Sequence, residues 1–99
     1  MAATQYIDRL QKLIRELHGV DSTWIQTTFV GEYSGRETIW EGNVEVFQLT
    51  DHPTAKLCYA WIEHLANKEV TNAILGVPPV ATAYDAVDAY LEARAKQGK

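Results

Sequence analysis

Apolar positions along this chain change their period twice. From residue 4 to 19, Tyr6, Ile7, Leu10, Leu13, Ile14 and Leu17 recur at steps of three and four, which predicts one helix with a single apolar stripe, ended by Gly19. Beyond "VPPV" the same spacing returns in Ala83, Val87, Tyr90 and Leu91, behind a capping Thr82 and with Asp85 in the first turn. Between these helices the period falls toward two. Ser34-Gly35 and Asn67-Lys68 are the expected two-residue turns of two hairpins, joined by "TDHPTAK". The pattern therefore predicts an α+β fold, α-β-β-β-β-α, with a four-stranded antiparallel sheet of two hairpins and both helices packed on one face.

The stretch "VEVF" at residues 44–47 complicates this picture, because both of its alternating rows carry large apolar side chains. A turn at Ser34-Gly35 would set Phe29 opposite Trp40, Thr27 opposite Gly42 and Ile25 opposite Val44, on the helix side. In the second hairpin, Cys58, Ala60, Ile62, Ala73, Leu75 and Val77 would share that side. The reverse face would then gather Trp24, Phe47, Tyr59, Trp61, Asn72, Ile74 and Gly76 beside Glu41, Glu45 and Glu63. Four aromatics could bury about 600 Å² together, at a typical 150–250 Å² each. A surface of that kind marks a subunit interface or a ligand groove rather than a wetted sheet face.

Composition narrows the function classes. The chain has 99 residues and reads as one domain, 1–99, with 46% hydrophobic residues and 22% charged. A formal charge of -4 with scattered Lys and Arg argues against nucleic acid, whose phosphates need clustered cations. There is no apolar stretch of membrane-spanning length and no signal-peptide pattern at the start. One cysteine excludes an internal disulfide, so a cytoplasmic location is expected, without a membrane partner.

Candidate chemistry centres on carboxylates. Glu41 and Glu45 lie on one face of a strand, and a carboxylate desolvated among aromatics can act as a general acid or base. The competing reading places them at a groove rim or in ion pairs across an interface. Glu63 and His64 are weaker candidates, since strand neighbours point to opposite faces. His18, His52 and His64 show no metal-ligand spacing, so no metal or other cofactor is expected. Cys58, on the helix side, reads as a buried small residue rather than a nucleophile. Gly76 is either room for a ligand or a strand glycine covered by an aromatic ring.

"WEGNVEVFQLTDHPTAKLCYAW", residues 40–61, together with "VPPV", residues 77–80, resembles a family of small uncharacterised bacterial proteins. That resemblance implies the two-helix, four-strand domain and carries no activity. Ile62 stands where a more polar residue would be expected, and Gly76 where a charged one would, through divergence or through engineering that opened a pocket. The leading expectation is a noncatalytic module that forms a homodimer, or binds a partner, through the aromatic and acidic sheet face. The alternative is a pocket on that face for a flat aromatic ligand, with Glu41 or Glu45 as a proton-transfer base.

Overall fold

A computed structural model describes residues 4–97. The order of elements is α1 (Thr4–His18), β1 (Ser22–Ser34), β2 (Glu37–Leu49), β3 (Leu57–Leu65), β4 (Lys68–Leu75) and α2 (Ala83–Gln97). The strands form one antiparallel sheet in the order β1-β2-β3-β4. The α+β architecture expected from the pattern is the one observed.

Both helices end where local chemistry requires. Gly19, at φ +73°, turns the chain out of α1 while its N–H donates to Arg15 O at 2.9 Å, an αL cap that a side chain would strain. Thr82 Oγ1 accepts from Asp85 N at 3.1 Å, and Asp85 Oδ2 accepts from Ala81 N at 2.9 Å. These reciprocal bonds occupy two N–H groups at the start of α2.

The helices lie on opposite faces of the sheet, which corrects the expectation of a single helical layer. Leu10 and Ile14 of α1 pack with Phe47, Leu49, Cys58, Ala60 and Ile62. On the other side, Ala83, Ala86 and Val87 of α2 pack with Val30, Trp40, Val44, Val46, Tyr59 and Trp61. The physical reason is written in the central strands: Val44–Phe47 and Cys58–Ile62 are continuous buried runs. Such runs belong to strands covered on both sides. "VEVF" thus meets a helix on each face.

Register explains the misplacement. The β1–β2 turn is Gly35-Arg36, with Ser34 opposite Glu37; Gly35 has φ +61°, the positive value a II′ turn needs at its first central residue. A shift near Glu32 and Tyr33 adds a bulge at Ile39, and a second bulge lies at Ile25. The result sets Thr28 opposite Val44 and Phe29 opposite Asn43. Odd displacement exchanges the faces of β1 relative to β2. The second turn is Ala66-Asn67 rather than Asn67-Lys68, an even displacement of the pairing that leaves the faces of β3 and β4 as expected.

The sheet also forks. Pairing of β2 with β3 covers only Glu45–Gln48 against Leu57–Ala60, so the β1–β2 hairpin continues alone as a projecting ribbon. Along an antiparallel strand, N–H and C=O of alternate residues face the same neighbour. Leu49 N bonds Lys56 O and Leu57 O accepts from Gly76 N, so the next inward-facing residues at the fork are Asn43, Glu41, Ile62 and His64. Tyr6 of α1 fills part of the gap: its hydroxyl accepts from Ile62 N at 3.2 Å, taking the place of an absent β2 carbonyl. Loss of that acceptor leaves a half-buried donor unpaired, so Tyr6→Phe is expected to lower stability by about 1–3 kcal/mol. Urea unfolding followed by far-UV circular dichroism should show a lower midpoint at unchanged slope.

Candidate functional site

The residues expected to form one aromatic and acidic surface separate into two groups. Trp24 and Phe47 are cross-strand partners on the α1 side with Glu45, whereas Tyr59 and Trp61 lie on the α2 side with Glu63. Phe47, Tyr59 and Trp61 are 0%, 4% and 1% exposed, so none of them can meet a partner or a free ligand. Their cover is intramolecular.

On the α1 side, Glu45 is 2% exposed and anchors a small polar cluster. Its Oε1 accepts from Trp24 Nε1 at 2.9 Å and from Thr27 Oγ1 at 2.5 Å, so a buried carboxylate is held by two neutral donors of β1. Burial, with a smaller contribution from the nearby Glu45 charge, pushes the Tyr6 hydroxyl above its ordinary range. Glu45 is positioned as a structural acceptor tying β1 to β2. Glu41 sits farther out on the same face, where its Oε2 accepts from Tyr33 OH at 2.7 Å. That bond, ahead of desolvation, raises the Tyr33 hydroxyl. The Tyr33 ring folds over Gly31, where an added Cβ would collide with its hydroxyl.

On the α2 side, Glu63 closes a different network. Its Oε1 accepts from Tyr90 OH at 2.8 Å and from Trp40 Nε1 at 3.3 Å, and Arg94 reaches Oε2 at 3.4 Å. Burial first, then the Glu63 hydrogen bond and charge, raise the Tyr90 hydroxyl against the opposing pull of Arg94. Trp61 stacks edge-on against both Trp40 and Tyr90, with ring centroids 5.6 and 5.5 Å away. The arrangement pins α2 across the mouth of the fork, with both oxygens of the Glu63 carboxylate engaged. Glu41 and Glu63 line, with Trp61, one cleft of about 470 Å³ where the strands separate, whereas Glu45 stays apart in its own cluster with Trp24 and Thr27.

His64 lines that cleft as well, while His52 and Gly76 lie elsewhere. His64 is exposed and pairs with Glu69 at 3.4 Å across the β3–β4 hairpin, while Arg9 and His64 hold the Glu69 carboxyl below the usual range, Arg9 contributing more. His52 Nδ1 accepts from Thr54 N and Ala55 N, a purely local loop bond. Gly76 is covered rather than open: a Cβ there would meet Leu57 O at 3.1 Å and the Tyr59 ring at 3.2 Å, while Tyr59 OH donates to Ala81 O. Asn72 and Ile74 line a groove of about 510 Å³ between β4 and α2, with Val70, Tyr90 and Arg94. Among the described residues no group of three or more His, Cys, Asp and Glu is gathered as a metal ion would require, and no helix is long and apolar enough to cross a membrane.

What pattern reasoning missed is an edge. Large apolar side chains that remain exposed include Trp24, Ile25, Phe29 and Tyr33, all on β1, and Thr23–Thr27 is exposed without interruption. The signal was available: the thirteen residues of β1 contain no Lys, Arg or Pro and one carboxylate, Glu32. Natural edge strands are ordinarily defended by such residues. Comparison of the chain with known protein families, curated proteins and solved structures found no match.

Cys58 completes the inventory. Burial pushes its thiol up from 9.0 to about 12. Between those values the unfolded chain ionises before the folded one, so stability falls as pH rises through that window and the thiol contributes no pH dependence below it. At pH 8 a disulfide-exchange reagent is expected to leave Cys58 unmodified in the native protein and to label it fully in denaturant. Stoichiometric native labelling at the rate of a free thiol would contradict the burial.

Proposed function

We propose that this chain is a noncatalytic protein-interaction module that takes up an extended strand along its β1 edge. The observation carrying this reading is the unequal treatment of the two sheet edges. β4 is guarded: the outward-facing Ala73 carbonyl bonds His18 Nε2 at 2.8 Å, and Lys68 and Glu69 add charge, with Glu69 held by Arg9. α1 also covers the start of β1, where Gln11 Nε2 donates to Ser22 O at 2.9 Å. From there to the bulge near Tyr33, no side chain among the described residues caps the β1 edge in that way. Thr50 N bonds Asp21 O, so alternation past the Ile25 bulge turns the backbone groups of Thr27, Phe29 and Gly31 away from β2. An uncapped strand edge flanked by exposed aromatics is a template for strand addition.

This replaces the sheet face with the sheet edge as the working surface. A fluorescein-labelled peptide spanning Thr23–Gly31 is a chemically defined extended strand for the test. Its anisotropy should rise on titration with the protein, and Phe29→Lys, which places a charge at the exposed edge without touching the core, should weaken binding at least tenfold. Equal binding to both proteins would refute the edge as the site.

The groove between β4 and α2 supports a second, small-molecule reading. Trp61 Nε1 and Asn72 Nδ2, on directly opposed residues of β3 and β4, are buried donors without a partner among the described residues, and Asn72 lines the groove. With Arg94 and Lys68 at the groove and Val70 and Ile74 along it, the matching ligand is an apolar carboxylate. Benzoate and octanoate should shift the amide resonances of Asn72 and Ile74 in the parent and shift them at least fivefold less in Arg94→Gln at the same concentration. Unperturbed spectra at millimolar ligand would exclude this groove.

A further inference from the structure

Resting on the strand-addition reading, we infer that the occupant of the β1 edge is a second copy of this chain, paired antiparallel about a two-fold axis at Thr28 so that the two four-stranded sheets become one of eight strands.

Geometry confines the pairing to a short regular segment. The bulge at Ile25 ends it on one side and the shift at Glu32–Tyr33 on the other, leaving Gln26–Gly31. Outward backbone groups must face outward groups, so Thr27, Phe29 and Gly31 can oppose only one another or their equivalents. Centring the axis on Thr28 places Thr27 opposite Phe29 of the second copy and Phe29 opposite its Thr27, which uses the outward N–H and C=O groups of both residues. On the α2 side the same register sets Thr28 against Thr28 and Gln26 against Val30. Aromatic with β-branched, and threonine with threonine, are stabilising cross-strand pairs.

Charge and area agree with self-pairing. Glu32, the only charged residue of β1, lies outside the paired segment, so no like charges meet within it. Trp24, Phe29 and Tyr33 are 42%, 55% and 56% exposed. At about 150–250 Å² per aromatic they offer roughly 300 Å² together. That is more than a third of the roughly 800 Å² each partner contributes to a standard interface, before Ile25, Ile39 and the strand backbone are added. A two-fold axis also uses the same surface on both subunits, so association closes at the dimer and leaves only the α1-guarded β4 edges at the ends of the joined sheet.

The full chain should have the mass of a dimer by light scattering after size exclusion at micromolar concentration. Phe29→Lys should be a monomer with an unchanged far-UV spectrum. Opposed Thr28 residues form a non-hydrogen-bonded pair, whose Cα atoms lie about 4.5 Å apart, within disulfide reach. Thr28→Cys is therefore expected to cross-link nearly completely on mild oxidation, while the buried Cys58 does not compete. Gln26→Cys, displaced from its own equivalent by four residues, about 13 Å, is expected to stay uncross-linked. A parent that remains monomeric, or Gln26→Cys cross-linking as readily as Thr28→Cys, overturns the inference. If the parent is monomeric but the Thr23–Gly31 peptide still binds in a Phe29-dependent way, strand addition stands and self-pairing falls. If neither association occurs, both fall together.

Discussion

Burial of β2 and β3 on both faces is the constraint from which the rest of this molecule follows. A sheet with one wet face would ask only for alternation. Here Val44 and Val46 need cover on one side, Phe47 and Leu49 on the other, and the same holds for Tyr59 and Trp61 against Cys58, Ala60 and Ile62. One helix cannot supply both layers, so α1 and α2 divide the faces between them. The polar residue inside this sandwich, Glu45, is tolerated because Trp24 and Thr27 bring two donors to a single oxygen.

Two-sided cover has a geometric consequence at the fork. Trp40 lies over Gly42, within 3.2 Å of where a Cβ would stand, and stacks on Trp61 where the β2–β3 ladder has stopped. The separation leaves strand backbone without a strand partner. Side chains take over: the Tyr6 hydroxyl at Ile62 on the α1 side, and the Glu63, Tyr90 and Arg94 network on the α2 side. Aromatic and acidic residues that resemble a ligand site in one dimension are thus employed in joining helices to a divided sheet. Tyrosine and tryptophan suit this work because each buries a large apolar body while its polar atom reaches a partner.

The same economy of cover leaves one surface unattended. α1 reaches both ends of the sheet, capping Ser22 O through Gln11 and Ala73 O through His18. Among the described residues no helix side chain is bonded to the outward groups of Thr27 and Phe29. An open strand edge with aromatic flanks carries a standing aggregation risk, and a strand with no Lys or Pro to reduce it is consistent with a surface that is occupied in use.

The sequence by itself determined the elements, their order and which residues share each of the two rows of the second hairpin. Those follow from local periodicity and from stop signals such as Gly19 and Thr82, which act within a few residues. It also marked Cys58 as buried and Gly76 as a place an aromatic ring could cover. Tertiary structure alone decided which row of the first hairpin joined which row of the second. That choice rests on the β2–β3 ladder, which sets Val46 against Tyr59 and Phe47 against Cys58, while within the first hairpin the bulge at Ile39 exchanges the faces of β1 relative to β2. It also decided that Glu45 is bonded apart from the cleft that Glu41 and Glu63 line. Hydrogen-bond partners twenty or more residues away, such as Trp24 for Glu45 and Tyr90 for Glu63, leave no periodic trace in the chain.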